Sequence, residues 1–293
     1  MLPIIRYRKI FFVFSGLLIA AALLALGMWR LRLGTDFVGG SLLEVRWPGA
    51  APAASDLRAA LDPLLERDFA VQQGAENNTI LRSQALSEEK HQEVLTKLKE
   101  RHGTFDELRF DSIGPVIGRE LIRKSIWALV MVLVGILLYI AWSFRKVSRP
   151  VAAWKYGVIT ILTGFHDVII PLGLFSVLGK WFDLEVNASF VAAILTVLGY
   201  SINDTIVVLD RVRENLAAGL SDFEATVEKS VNQALARSLN TILTTLLALV
   251  AVFFFGGETT KHFVLALIVG IATGAYSSIF IASPLLVVWH RRN

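Results

Sequence analysis

The chain has 293 residues, of which 54% are hydrophobic and only 18% are charged. Soluble globular domains contain about a quarter charged residues, so this composition excludes that class and indicates an integral membrane protein. The absence of cysteine excludes disulfides and thiolate metal sites. The net charge of +4 comes from basic residues at the ends of apolar stretches, which is typical of membrane orientation and not of nucleic-acid binding.

Six apolar stretches approach the roughly 20 residues that a membrane-spanning helix requires. They are Ile10–Trp29, Ser125–Phe144, Lys155–Leu178, Ala188–Leu209, Ser238–Phe255 and His262–Trp289. The first is longer than the apolar core of a signal peptide and lacks a convincing cleavage site before Arg30, so it is interpreted as an uncleaved anchor. The sequence therefore predicts an all-α bundle of six membrane helices.

The basic residues between these spans predict the orientation of the chain. Thirteen Lys and Arg residues lie on one side of the predicted spans, whereas only Lys180 and Lys261 lie in the short loops opposite. Because positive charge accumulates on the cytoplasmic side, both termini are predicted to be cytoplasmic.

A polar insert, residues 30–124, separates the first two spans on the extracytoplasmic side and carries 14 basic and 15 acidic residues. Leu43, Val45 and Trp47 alternate with polar residues, which predicts a strand with one buried face. The other predicted elements are a helix from Ser55 to about Glu66, strands at Phe69–Gln72 and Thr79–Arg82, a helix from Ser87 to His102 and a strand at Phe105–Ile113. The order β-α-β-β-α-β is that of an α+β ferredoxin-like unit.

The sequence therefore predicts three parts along the chain. Residues 1–29 contain the cytoplasmic N-terminus and the first membrane helix, and residues 30–124 form a periplasmic ferredoxin-like domain. Residues 125–293 contain membrane helices two to six and a cytoplasmic C-terminus. Gly39, Gly40 and Gly114 flank the insert. Two readings of these glycines remain open. They form flexible junctions that let the insert swing, or they form tight turns into packed strands.

The fourth span contains Asn203 and Asp204 within an apolar stretch. A carboxylate at membrane depth costs about 2.5–3.5 kcal/mol on insertion scales, so such a residue is a functional candidate. Tyr200 and Ser201 share its helix face. Asp204 is the strongest candidate site residue in the chain.

Two other spans carry polar stripes. The third contains His166 and Asp167, and the fifth contains Arg237 and Thr241. Arg237 either extends to the membrane interface or reaches inward to Asp204. The alternative for these stripes is structural, because Ser and Thr in membrane helices mostly serve helix packing, and a hydrogen-bonded structural role is the more common one for a residue such as His166.

Two further patterns have structural interpretations. Gly270-x-x-x-Gly274 indicates a close contact between helices. Ser221 and Glu224 fit a capping box, and the apolar residues from Phe223 to Ala234 then repeat at helical spacing. This predicts an amphipathic helix, which lies against the membrane or a partner, or covers the cytoplasmic end of the bundle.

The motifs together resemble those of the SecD/SecF family over nearly the whole chain. The segments that carry the resemblance are Gly34–Ser41 (GTDFVGGS, with Asp36, Phe37, Gly39 and Gly40), Phe165-His166-Asp167, Gly199–Glu214, Arg237–Thr245 and Phe255-Gly256-Gly257. The first is similar to the family signature G-x-D-F-x-G-G-[ST], in which Thr35 replaces the usual Ile. Gly199–Glu214 and Arg237–Thr245 are similar to the branch of the family whose members pair with SecD.

The resemblance implies a subunit of the bacterial protein-export machinery, in the inner membrane, with the fold of half an RND-type transporter. It implies SecD, the SecYEG channel, YajC and the translocating preprotein as partners, with no cofactor. It also implies use of the proton-motive force. The family's membrane aspartate falls on Asp204, and its fifth-span residues fall on Arg237 and Thr241, with Asn203, Asp167 and His166 as further candidates for the proton path.

Three rival functions are weighed against this reading. Half of another RND-like proton-coupled exporter would predict a second homologous half, whereas six spans are present. An intramembrane aspartyl protease would require two carboxylates in Gly-x-Gly-Asp motifs, which the sequence lacks. A purely structural scaffold would tolerate Asp204→Asn. The chain is therefore interpreted as a transport subunit and not as an enzyme.

Overall fold

The computed structural model describes residues 1–65, 69–74, 77–143, 151–218 and 222–291. The chain divides into two compact units, one formed by Met1–Arg32 with Trp127–Asn293 and the other by Leu33–Ile126. The elements in chain order are α1 (Arg8–Trp29), α2 (Thr35–Val38), β1 (Gly40–Arg46), α3 (Ala54–Leu65), β2 (Phe69–Gln73), β3 (Asn78–Ser83), α4 (Glu88–His102), β4 (Asp106–Ile113), α5 (Pro115–Ser143), α6 (Ala153–Phe182), α7 (Ala188–Ala217), α8 (Phe223–Phe255), α9 (Glu258–Ser277), a π-turn (Ser278–Ala282) and α10 (Ser283–Arg291).

Within the described residues, six helical segments are long and apolar enough to cross a membrane, which confirms the six predicted apolar spans. Two of them differ from the prediction. The amphipathic segment and the fifth span form one continuous helix, α8, because no Gly or Pro separates them. The sixth span is interrupted by the π-turn at Ser278–Ala282. Asp222 caps α8 by accepting a hydrogen bond from the Ala225 N–H at 3.1 Å, whereas Ser221 of the predicted capping box lies outside the described residues.

Glycines allow the central helices to approach closely. A Cβ atom at Gly270 would lie 2.3 Å from the Val197 side chain, and one at Gly274 would lie 2.7 Å from Ser201. This confirms the predicted close contact at Gly270 and Gly274 and joins α9 to α7. Helices α6 and α1 also approach closely, because a Cβ atom at Gly173 would lie 2.3 Å from the Cβ atom of Ala22.

The segment ahead of α1 is held on the first turns of α8. Asn232 accepts a hydrogen bond from the Leu2 N–H at 2.7 Å and donates to the Leu2 carbonyl at 3.0 Å. Glu228 accepts from the Ile5 N–H at 3.2 Å, and Arg8 forms an ion pair with Glu224 at 2.7 Å. Three side chains spaced four residues apart on α8 therefore bind this segment, Asn232 and Glu228 through its backbone and Glu224 through the Arg8 side chain.

The second unit is built on a four-stranded antiparallel sheet in the order β2-β3-β1-β4. The predicted buried face of β1 is confirmed, since Leu43, Val45 and Trp47 all lie in the core. Helices α3 and α4 complete that core with Leu57 and Leu98, which are both fully buried. Glu66, where the first helix of the insert was predicted to end, lies outside the described residues.

Replacement of Gly270 by Ala tests the close contact between α7 and α9. We expect Gly270→Ala to lower the free energy of unfolding by about 1–3 kcal/mol, the usual cost of overpacking a filled interface. Gly199→Ala on α7 is the matched control, because a Cβ atom there meets nothing within 4 Å. Thermal unfolding in detergent compares the two variants, and equal stability of both would contradict the assigned contact.

Candidate functional site

Asp204 lies in the second half of α7, a helix that begins where the Asn187 side chain accepts a hydrogen bond from the Phe190 N–H at 3.0 Å. Its carboxyl group is half-buried. Oδ1 accepts a hydrogen bond from the Ser238 hydroxyl of α8 at 2.6 Å. Oδ2 is buried and has no hydrogen-bond partner among the described residues. An unsatisfied carboxylate oxygen in such a place is costly, and this cost is reduced if the group takes up a proton.

Ser238, and not Arg237, contacts Asp204. Within the described part of the chain no ion pair joins Arg237 to Asp204, so the inward reach considered for Arg237 is not present in this structure. The Arg237 side chain is exposed, and it lines a cavity of about 250 Å³ together with Asp210 and Glu214. The sequence spacing could have identified Ser238 as a buried residue. It lies four residues from the apolar Ala234 and Ile242, which are both buried on the same face of α8.

The remaining candidates of the fourth and fifth spans lie on the outer surface of the helix pair. Asn203 and Thr241 are exposed, and the Thr241 hydroxyl donates to the Arg237 carbonyl of its own helix at 3.0 Å. The Tyr200 hydroxyl crosses from α7 to α8, donates to the Thr241 carbonyl at 3.2 Å and lies 3.1 Å from the Thr245 hydroxyl. With Arg237, these residues form a polar face on helices that are otherwise apolar.

Asp167 occupies a different environment, fully buried in the middle of α6. Its Oδ1 lies 2.8 Å from Nδ1 of His166, which is also buried. Its Oδ2 accepts hydrogen bonds from Ser201 of α7 and from Ser277 of α9, the latter at 2.7 Å. The carboxyl group therefore connects three helices, and both donors to Oδ2 are small polar residues within apolar stretches of the sequence.

A layer of hydroxyl groups lies beside this carboxyl group. The hydroxyls of Thr205 on α7 and Ser278 at the start of the π-turn are 2.8 Å apart. Ser278 also donates to the Ser201 carbonyl at 3.3 Å and the Gly274 carbonyl at 2.9 Å. The sequence interpretation missed Ser277 as a partner of Asp167 and Ser278 as a partner of Thr205, because a π-turn changes which residues of a helix share a face.

The glycine-rich segment at the start of the insert forms a tight turn. Phe37 is buried, and Asp36 lies in the first turn of the short helix α2. Gly39 has φ +84° and Gly40 has φ +137°, values that favour glycine. A Cβ atom at Gly39 would lie 2.7 Å from the Pro115 backbone, and one at Gly40 would lie 2.7 Å from the Ser83 carbonyl. This geometry favours the tight-turn reading over the flexible-junction reading.

The family comparisons agree with these features. The family model described as "Protein export membrane protein SecD/SecF, C-terminal" matches residues 93–292. Relatives that are named protein translocase subunit SecF include those of Thermobaculum terrenum, 42% identical over 100% of this chain and 95% of the relative, and of Anaerolinea thermophila, 38% identical over 99% and 94%.

A solved structure is similar over the same extent. The crystal structure of SecDF from Thermus thermophilus, described as a translocon-associated membrane protein, has a TM-score of 0.84 and 33% identity over 99% of this chain. This chain spans 39% of that SecDF chain.

The six apolar helices of the described residues, together with the match to the SecD/SecF family model, define a multi-pass membrane protein of the protein-export class. The chain belongs to the SecD/SecF family of inner-membrane proteins, and the relatives named above place it in the SecF branch.

The turn at Gly39 generates a stability prediction. We expect Gly39→Ala to destabilise the insert by about 1–3 kcal/mol, because the new methyl group meets the Pro115 backbone and the residue must keep a positive φ. Gly114→Ala is the control at the other end of the insert, where a Cβ atom meets nothing within 4 Å. Limited proteolysis of the membrane-embedded protein measures the difference, and equal protection of both variants would argue against the assigned strain.

Proposed function

We propose that this chain is a SecF-type subunit of a protein translocase, which uses the proton-motive force together with SecD to promote export of preproteins across the cytoplasmic membrane. The observation that carries the proposal is the Asp204 carboxyl group. It lies within a membrane-spanning helix, is held by one hydroxyl and has a second oxygen buried without a partner among the described residues. The family supplies the context of protein export.

The proposed topology places both termini in the cytoplasm and the insert in the periplasm. The distribution of basic residues over the loops supports this orientation. We further propose that the insert, residues 30–124, is a ferredoxin-like domain. Its element order β1-α3-β2-β3-α4-β4 and its antiparallel sheet order β2-β3-β1-β4 support that assignment.

SecD is proposed to cover the polar face formed by Tyr200, Asn203, Arg237 and Thr241. Polar and charged side chains within membrane-spanning helices face a protein interior or water and not lipid. Asn203, Arg237 and Thr241 are exposed in the single chain, so a second set of helices is required to shield them. The SecYEG channel, YajC and the translocating preprotein are the further proposed partners of the assembly.

The proton cycle begins at Asp204 in this proposal. A proton from the periplasmic side neutralises the carboxyl group, its hydrogen bond with the Ser238 hydroxyl weakens, and α7 and α8 repack. Release of the proton to the cytoplasm restores the first arrangement, and the repacking moves the insert. One charge that crosses 100 mV supplies about 2.3 kcal/mol, which is similar to the energy of one charge-assisted hydrogen bond.

Replacement of Asp204 by Asn tests the proton-coupled function. In cells depleted of their own SecF, we expect Asp204→Asn to insert normally but to leave export of a secreted reporter at the level of the depleted strain. Asp210→Asn is the matched control on the same helix, since Asp210 is partly exposed and ion-paired with Arg213 at 2.7 Å. Full export with Asp204→Asn at matched membrane levels would refute the assigned role of this carboxyl group.

Single cysteines test the proposed contact with SecD, because the chain contains no native cysteine. We expect Thr241→Cys to form a cross-link to a cysteine series on the membrane helices of SecD. Met131→Cys, which lies on an exposed apolar surface of α5, is the control and should not react with that series. Cross-linking at residue 131 and not at residue 241 would place SecD against α5 and contradict the proposed contact with the polar face.

A further inference from the structure

Lys155 lies in the first turn of α6, and its side chain is enclosed although it carries a charge. Only 6% of the residue is exposed. Its Nζ atom lies 6.0 Å from the centre of the Trp154 ring and 5.7 Å from that of the Trp289 ring. The two indole rings meet edge to face, with their centres 5.4 Å apart. The ammonium group is therefore held beside two aromatic rings, one from α6 and one from α10.

The described residues supply no anion to this ammonium group. Among them Lys155 forms no ion pair and no side-chain hydrogen bond besides its contacts with the two indole rings. The neighbouring sequence offers no counter-ion either, since residues 121–166 contain six basic residues and no Asp or Glu. A cation–π contact offsets only part of the cost of removing an ammonium group from water. An anion bound from outside the chain would offset the remainder.

The start of α6 favours an anion at the same place. Ala152 at the N-cap position makes no side-chain hydrogen bond, and the first turn contains no acidic residue. The positive end of the helix dipole is therefore not neutralised by a side chain of its own first turn. Because the first N–H groups of a helix commonly bind phosphate, the ammonium group of Lys155 and the helix start favour the same ligand.

This end of α6 lies at the depth of the lipid headgroups. The helix has 30 residues and is about 45 Å long, which matches a bilayer together with its headgroup layers. Trp154 is 53% exposed, and Trp is enriched at the boundary between membrane and water. In the sequence, Arg145, Lys146 and Arg149 come shortly before α6. Basic clusters next to a membrane helix attract anionic lipids.

We propose that Lys155 and the first turn of α6 bind the phosphate group of an anionic phospholipid, next to Trp154 and Trp289. The phosphate supplies the counter-ion that the ammonium group lacks among the described residues. A lipid is favoured over a free phosphate ion because the indole ring beside the ammonium group is exposed at headgroup depth. The site is separate from Asp204 and Asp167 and goes beyond the proposed function.

Native mass spectrometry of the full chain in detergent measures the binding of such a lipid. Phosphatidylglycerol is the anionic probe, and phosphatidylcholine is the zwitterionic one. We expect Lys155→Met to weaken phosphatidylglycerol binding at least about tenfold, as the loss of one charge-assisted hydrogen bond would, and to leave phosphatidylcholine binding unchanged. Lys180→Met is the matched control, because Lys180 is an exposed lysine at the other end of α6. It should bind phosphatidylglycerol like the unmodified chain.

Thermal unfolding separates a lipid from a free anion. We expect the Tm of the unmodified chain to rise when phosphatidylglycerol replaces phosphatidylcholine, whereas the Tm of Lys155→Met should not change with the lipid. Inorganic phosphate is tested alone in phosphatidylcholine. An equal rise with inorganic phosphate would assign the site to a free anion and overturn the lipid proposal.

A second measurement covers the case in which Lys155→Met does not fold. Phosphatidylglycerol with a photoreactive group near its headgroup is then cross-linked to the unmodified chain. Adducts on peptides that contain Trp154 or Trp289 would support the site, and adducts confined to other peptides would overturn it. Equal phosphatidylglycerol binding by the unmodified chain and Lys155→Met would overturn it as well. The export defect of Asp204→Asn is measured separately, so the proposed function does not depend on these results.

Discussion

The arrangement of the membrane helices depends on the complete burial of the Asp167 carboxyl group. A buried ionisable group requires donors for its oxygens, and here they come from His166 on the same helix, Ser201 on α7 and Ser277 on α9. Such short bonds require close helices. Gly274 provides the closeness, since its missing side chain leaves room for Ser201 one turn before Ser277. The glycine contact and the hydrogen bonds thus fix the same crossing of α7 and α9.

Asp204 differs from Asp167 in each of these respects. It is half-buried, holds one hydroxyl donor from Ser238 and lies near the outer surface of the helix pair. A carboxyl group that has few hydrogen-bond donors and lies near the surface of the helices is suited to change its protonation state. A carboxyl group that is enclosed by three helices is suited to hold its neighbours in place. The two acids of the membrane unit therefore have complementary roles in the proposed cycle.

The sequence predicted the six spans and the elements of the insert well, because apolar length and alternation are local signals. Asp204 and Asp167 were found because a carboxylate within an apolar stretch is rare. Ser238 was missed, since it lies one residue from Arg237 and the charged residue drew the interpretation to the wrong face of α8. The π-turn at Ser278 was also missed, because a single extra residue in a helical turn leaves no mark in an apolar sequence.

The length of α8 gives the anchored segment ahead of α1 a mechanical role. Helix α8 has 33 residues and is about 50 Å long. Glu228, which holds the Ile5 N–H, lies ten residues from Ser238, or about 15 Å along the axis. A tilt of about 10° around Ser238 would carry Glu228 sideways by about 2.6 Å, enough to break its hydrogen bond unless Ile5 follows. To keep this hydrogen bond, the segment that leads into α1 must move together with the first turns of α8.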